Sequence, residues 1–192
     1  MYRNYPEMIE KVRQFEPATI AVAAADDLEV IKAIKDVAEL EIAKALLVGN
    51  KSKIEKYSEK VGLKGNIEII DAANEIEAAI IAVEMVKKNQ AQIIMKGIIN
   101  TSDFLRAVLK YLRTDKRLSH LAAFEIPGEK KLVFHSDGGM NVAPDLNAKL
   151  DILSNAVSAM EKLGYKKINI ACLAANEKVD SKIPASVDAR DL

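Results

Sequence analysis

Tryptophan is absent from this chain, and cysteine occurs once, at position 172. A lone thiol allows no intrachain disulfide and no multi-cysteine zinc site, so neither staple can hold the fold. It points to a reducing, cytoplasmic compartment. A surplus of one charge is missing too, because 28 Lys plus Arg offset 28 Asp plus Glu. Nucleic-acid binding draws its affinity from a basic excess, so no nucleic-acid partner is expected. No apolar run nears the roughly 20 residues of a membrane-crossing helix. The stretch from Met1 to Glu16 also lacks the apolar core of a secretory signal. No membrane partner is expected either.

Several motifs are also missing. No G-x-x-x-x-G-K-[ST] occurs and no G-x-G-x-x-G follows the first apolar run, which weighs against an NTPase or a dinucleotide-binding half. His120 and His135 are not at metal-ligand spacing, and no acidic set completes a triad around them, so structural roles are expected and no metal site. No Ser-His-Asp triad can be assembled from spacing.

What the chain does have is an alternation of short apolar runs and longer segments of helical period, with hydrophobic residues making up 49% of 192 positions. Residues 19–25, 44–48, 66–71 and 91–95 read as strands. Helices are predicted between them, over 51–61, 74–88 and 101–112 and after the Asp26-Asp27 cap. Two further strand-like runs, 120–126 and 131–135, flank Pro127-Gly128-Glu129-Lys130, which predicts an antiparallel hairpin. A helix over 144–163 and a strand over 168–174 follow. That strand places Cys172 in an inert apolar core.

Strands separated by helices imply right-handed βαβ units. The expected class is α/β, a mostly parallel sheet with helices on both faces and an antiparallel hairpin excursion. A first α/β domain is expected over 1–135, with 136–192 beginning a second, incomplete one. On this reading the chain is expected to stop within the architecture.

Two polar strand ends carry the chemistry. At the first, Gly97 ends an apolar run, where a missing side chain lets a ligand approach the backbone. Asn100, Thr101 and Ser102 are N-cap types, and the helix start they define offers unpaired N–H groups to an anion. Arg106, Lys110 and Arg113 recur at i, i+4 and i+7 as a basic stripe. The same residues equally describe an ordinary capped helix with a solvated face. At the second, Ser136-Asp137-Gly138-Gly139-Met140-Asn141 joins a strand to a helix entered near Pro144. Asp137 and Asn141 are suited to orienting polar ligand groups, or to capping an elaborate turn.

With these segments, the chain resembles the phosphate acetyl/butyryltransferase family, and its butyryltransferase branch most closely. The residues carrying the resemblance are Lys96-Gly97 with Asn100-Thr101 and Phe104-Leu105-Arg106, then Leu112-Arg113-Thr114, Ser119-His120 with Phe124-Glu125, and Ser136–Asn141 with Pro144. Ile183–Ala189 is similar to the stretch that opens the next helix in that family. The resemblance implies two α/β domains of isocitrate/isopropylmalate dehydrogenase-like architecture around a cleft. It implies reversible acyl transfer, acyl-CoA + phosphate ⇌ acyl phosphate + CoA, with coenzyme A and phosphate as substrates and no intrinsic cofactor or metal. A homodimer is the expected assembly.

Family members are about half as long again as this chain, and the Asp that serves as base, with its neighbouring Ser/Arg, belongs to their C-terminal part. No catalytic residue is therefore assigned. What carries over is phosphate or substrate binding by Gly97, Asn100, Thr101 and Arg106, with Arg113, Asp137 and Asn141. Weak or absent turnover is expected, and the alternative is a non-catalytic ligand-binding or assembly module that kept the fold.

Overall fold

The strand over Ala18–Ala23 (β1) occupies an inner position of a four-stranded parallel sheet of order β3-β2-β1-β4. Its partners are Ala43–Gly49 (β2), Ile67–Asp71 (β3) and Ile93–Lys96 (β4). β1 pairs in register with β2 from Ala18 opposite Ala43 to Ala23 opposite Val48, and with β4 from Ile20 opposite Ile93 to Ala23 opposite Lys96. The computed structural model describes residues 2–112 and 114–192. They form two compact units, Ile9–Arg113 and Thr114–Leu192 together with Met1–Met8.

In the first unit the apolar run that predicts β1 is buried on both faces, as a parallel sheet flanked by helices requires. Val22 and Ala25 join Ile31 and Ile34 of α2 (Leu28–Glu39), Leu47 of β2 and Ile54 of α3 (Lys51–Val61) in one core layer. Ala21 and Ala23 face the other way, toward Ala78, Ala79, Ala82 and Val83 of α4 (Glu75–Lys87) and Ala107 of α5 (Thr101–Tyr111). Alanine on both sides brings α4 down close to the sheet. Each fully buried Ile or Leu in the first layer contributes about 1.5–3 kcal/mol relative to exposure.

Caps end these elements where the residue types predict. Asp27 accepts from the N–H groups of Glu29 (2.9 Å) and Val30 (3.1 Å), Asn50 from Lys53 (3.0 Å) and Asn74 from Glu77 (3.0 Å). The Glu77 carboxylate reaches back to the Ala73 N–H at 2.7 Å, nearly closing a capping box. In α5 Ala107 is the buried residue, while Leu109 is half-exposed.

The second unit holds the predicted antiparallel pair, Ala122–Phe124 (β5) and Val133–His135 (β6), followed by Leu146–Lys162 (α6) and Pro184–Asp191 (α7). Asp145 caps α6 through the Ala148 N–H at 2.8 Å. β5 and β6 pair with each other and bind the N-terminal residues. Tyr5 donates its hydroxyl to the Ala123 carbonyl (2.7 Å) and its N–H to Glu125 (3.0 Å), and the Tyr2 and Phe134 rings both meet Tyr165 edge-on. The helix Tyr5–Val12 (α1), unpredicted from sequence, divides between the two units.

The strand predicted over 168–174 is not formed. The segment is without secondary structure, and Ile170, Cys172 and Leu173 are exposed. A strand needs a partner as well as an apolar run, and among the described residues no strand pairs with this segment. The expectation that Cys172 is inert core is thereby overturned.

Candidate functional site

The parallel sheet changes direction at β1. The chain steps outward from β1 to β2 and β3, then returns to place β4 on the other side of β1. In open α/β sheets the crevice beyond the strands' carboxyl ends at such a reversal is where ligands bind. Gly97 stands there, immediately after β4. Its N–H donates to the Ala23 carbonyl (2.8 Å) and the next N–H, of Ile98, to Ala24 (2.9 Å). A Cβ at position 97 would lie 2.1 Å from the Ala24 oxygen. The glycine is thus required by the approach of two backbones, whereas the residue type alone suggested room for a ligand.

Three residues later Asn100 occupies the N-cap of α5, and its side chain makes no capping hydrogen bond. Asn100, Thr101 and Ser102 are all exposed at this helix start. Asp103 sits in the first turn and binds the Arg106 guanidinium at 2.8 Å. The Arg106 side chain is 73% exposed, so this pair is worth about 0–1 kcal/mol. Lys110 lies over the Tyr111 ring, 5.1 Å from its centre. Arg113, the last member of the stripe, falls outside the described residues.

A second opening on the same edge was not anticipated. A cavity of about 370 Å³ is bounded by Asp26, Asn50, Lys53 and residues 72–76, where β1, β2 and β3 end. Lys53 and Asp26 pair across it at 3.3 Å. The three N-cap residue types after successive strands were the legible signal for this convergence of helix starts.

In the other unit the strand end after β6 is organised around Asp137. One carboxylate oxygen accepts the His120 N–H (3.1 Å), and the other accepts the Asn141 N–H (2.9 Å) and the Asn141 side-chain amide. Burial pushes the Asp137 carboxyl up. The Asn141 side chain and the N–H groups of His120, Asn141 and Met140 outweigh that effect, holding it below the ordinary aspartate range. Asn141 is fully engaged as well: its oxygen accepts from Arg117 (3.2 Å) and its amide also donates to the Leu118 carbonyl (3.1 Å).

Both residues therefore tie the loop together. The glycines between them serve separate ends, since a Cβ at 138 would lie 2.6 Å from the His120 ring nitrogen and Gly139 has φ of 116°. Sequence reasoning did not identify Asn155, whose amide donates to the Arg117 carbonyl (2.7 Å) and the Ser119 hydroxyl (3.0 Å). Among the described residues no group of three His, Cys, Asp or Glu could hold a metal ion. None of their helices is long and apolar enough to cross a membrane.

These features define an α/β protein with a four-stranded parallel sheet flanked by helices and a small antiparallel pair. Its structure aligns with the crystal structure of a branched-chain phosphotransacylase from Enterococcus faecalis V583 at a TM-score of 0.79 and 27% identity, over 91% of this chain and 62% of that one. The model of the family described as "Phosphate acetyl/butaryl transferase" matches residues 54–192, and the chain belongs to this family. It is 37% identical over 193 residues to the phosphate butyryltransferase of Clostridium acetobutylicum, covering 98% of this chain and 64% of the relative. It is 39% identical over 190 residues to a probable phosphate butyryltransferase of Bacillus subtilis, covering 97% and 63%. The chain thus spans less than two thirds of the relatives it matches.

Proposed function

We propose that this chain carries the phosphate-binding portion of an enzyme that transfers an acyl group reversibly between coenzyme A and phosphate. The observation that carries this reading is the match to phosphate butyryltransferases along 98% of the chain. The sheet edge supports it, with Gly97 holding the β4 turn against β1, and with Asn100, Thr101 and Ser102 open at the start of α5. In the forward direction a phosphate oxygen attacks the thioester carbonyl carbon, the C–S bond breaks, and coenzyme A leaves as a thiolate that takes up a proton. The chain's part is to hold phosphate at the first turn of α5, with Arg106 moving from Asp103 to the anion. No residue here is assigned as the base.

Two measurements test this. Phosphate at saturating concentration raises the Tm of the wild-type chain, by about 2.7 kcal/mol of stabilisation at a hundred times Kd, and Arg106→Ala abolishes the rise. Equal protection of both forms would remove Arg106 from the site. Release of free coenzyme A thiol from butyryl-CoA and phosphate then reads turnover. The shorter span, 64% of the butyryltransferase length, favours a second reading, a non-catalytic ligand-binding module. That module shows phosphate protection without thiol release, and sustained turnover by the purified chain excludes it.

A further inference from the structure

At the start of α5 an acid stands among the groups offered to an anion. Asp103 is in the first turn of the helix, directly after Thr101 and Ser102. Its own N–H (3.1 Å) and that of Phe104 (3.0 Å) both donate to the Asn100 carbonyl, so the backbone donors left for an anion are those of Thr101 and Ser102. The Asp103 side chain is only 27% exposed, against 73% for Arg106, and the two are paired at 2.8 Å. An ionised carboxylate has acceptors and no donor. When Arg106 turns to a bound anion, Asp103 becomes a partly buried acceptor beside a second negative charge. Only a proton carried by the anion can then satisfy it. Phosphate near neutrality carries a P–OH group, whereas sulfate carries no proton.

We infer that Asp103 determines the specificity of this site, selecting a protonated oxyanion, phosphate, over a fully ionised one, sulfate. The inference deepens the phosphate-binding reading above and rests on it. The P–OH donates to the Asp103 carboxylate, while the other oxygens take the Thr101 and Ser102 N–H groups and the Arg106 guanidinium. Sulfate meets the same donors but sets a bare oxygen against the carboxylate. A site whose polar group is left unpaired rejects the analogue that lacks the matching proton. An acid in a first turn also favours the helix dipole. That role alone treats phosphate and sulfate, two tetrahedral oxyanions of similar size, alike.

The test is the Tm of the purified chain titrated with phosphate, arsenate and sulfate at neutral pH and constant ionic strength. We expect arsenate, which also keeps a proton, to follow phosphate, and sulfate to need about tenfold more for the same rise. Asp103→Asn keeps the shape and can donate to a bare oxygen, so it brings sulfate to within about twofold of phosphate. A merely structural Asp103 would shift all three anions together and leave their ratios unchanged. Sulfate as protective as phosphate in the wild type overturns the inference and leaves the phosphate site standing. So does arsenate grouping with sulfate, or a sulfate-to-phosphate ratio unchanged in Asp103→Asn. Protection of the wild type by none of the three removes the phosphate site itself, and the inference with it.

Discussion

Gly97→Ala is the sharpest test of how the sheet edge is built. The added Cβ would stand 2.1 Å from the Ala24 oxygen and 2.7 Å from that of Ala23, both backbone atoms that no rotamer change can move. Relief requires β4 to draw back from β1, which stretches the bonds from Gly97 N–H to Ala23 and from Ile98 N–H to Ala24. Overpacking costs about 1–3 kcal/mol and each weakened bond about 0.5–1.5 kcal/mol, for a total of about 2–6 kcal/mol over the two bonds. For a chain of this size each kcal/mol is about 2–4 °C in Tm, so we expect a loss of about 4–24 °C by calorimetry. Lys96→Ala, at the exposed neighbouring position, should stay within about 0.5 kcal/mol. The same retreat would shift Asn100 and the start of α5, so phosphate protection should fall along with Tm. A Gly97→Ala chain within 1 kcal/mol of wild type by urea titration would refute the close-approach argument.

Asp137 gives a pH prediction. Because its folded carboxyl titrates below the ordinary value, the stabilisation it supplies is present above the unfolded-chain value and lost as pH falls through the folded one. The gap in urea midpoint between wild type and Asp137→Asn should therefore be widest near neutrality and close in acid, and a gap independent of pH would contradict this. Cys172 should react with a thiol reagent under native conditions as an exposed thiol does, and labelling only after unfolding would argue against its exposure. Asn155→Ala removes donors to the Arg117 carbonyl and the Ser119 hydroxyl, so it should cost about 1 kcal/mol in urea unfolding and increase proteolytic nicking between 114 and 120. Lys149 and Asp188 join α6 to α7 as a half-buried pair, so Asp188→Asn should speed limited proteolysis of the last 15 or so residues.

The layered core was largely legible from the chain. β1 announced itself because a continuous apolar run followed by Asp26-Asp27 meets two physical demands at once, burial on both faces and a cap for the next helix. The hairpin was legible from Pro127-Gly128 for a similar reason, since its signal is local. What failed was non-local. Residues 168–174 have strand composition, yet pairing depends on a neighbour that their own identity does not encode. The candidate site divided the same way. Asn100 and Thr101 lie where helix-start chemistry puts them. Arg106 reads as a bare cation in the i, i+4, i+7 stripe, but the pattern says nothing of Asp103, three residues earlier on the same face. Asp137 and Asn141 were recognisable as an unusual pair, while the direction in which they spend their hydrogen bonds depends on Arg117, Leu118 and His120.

The alanine seam between β1 and α4 has a consequence for how this half of the molecule can respond to anything bound at its edge. Ala21, Ala23, Ala78, Ala79 and Ala82 have no side-chain torsions to rearrange, so a push at the end of β1 finds no soft element to absorb it. Sheet and helix must travel as one rigid plate. The seam also has no room to drift, because every replacement there except glycine is an enlargement, and a route to new ligand geometry has to run through the loops at the edge and not through the plate that carries them.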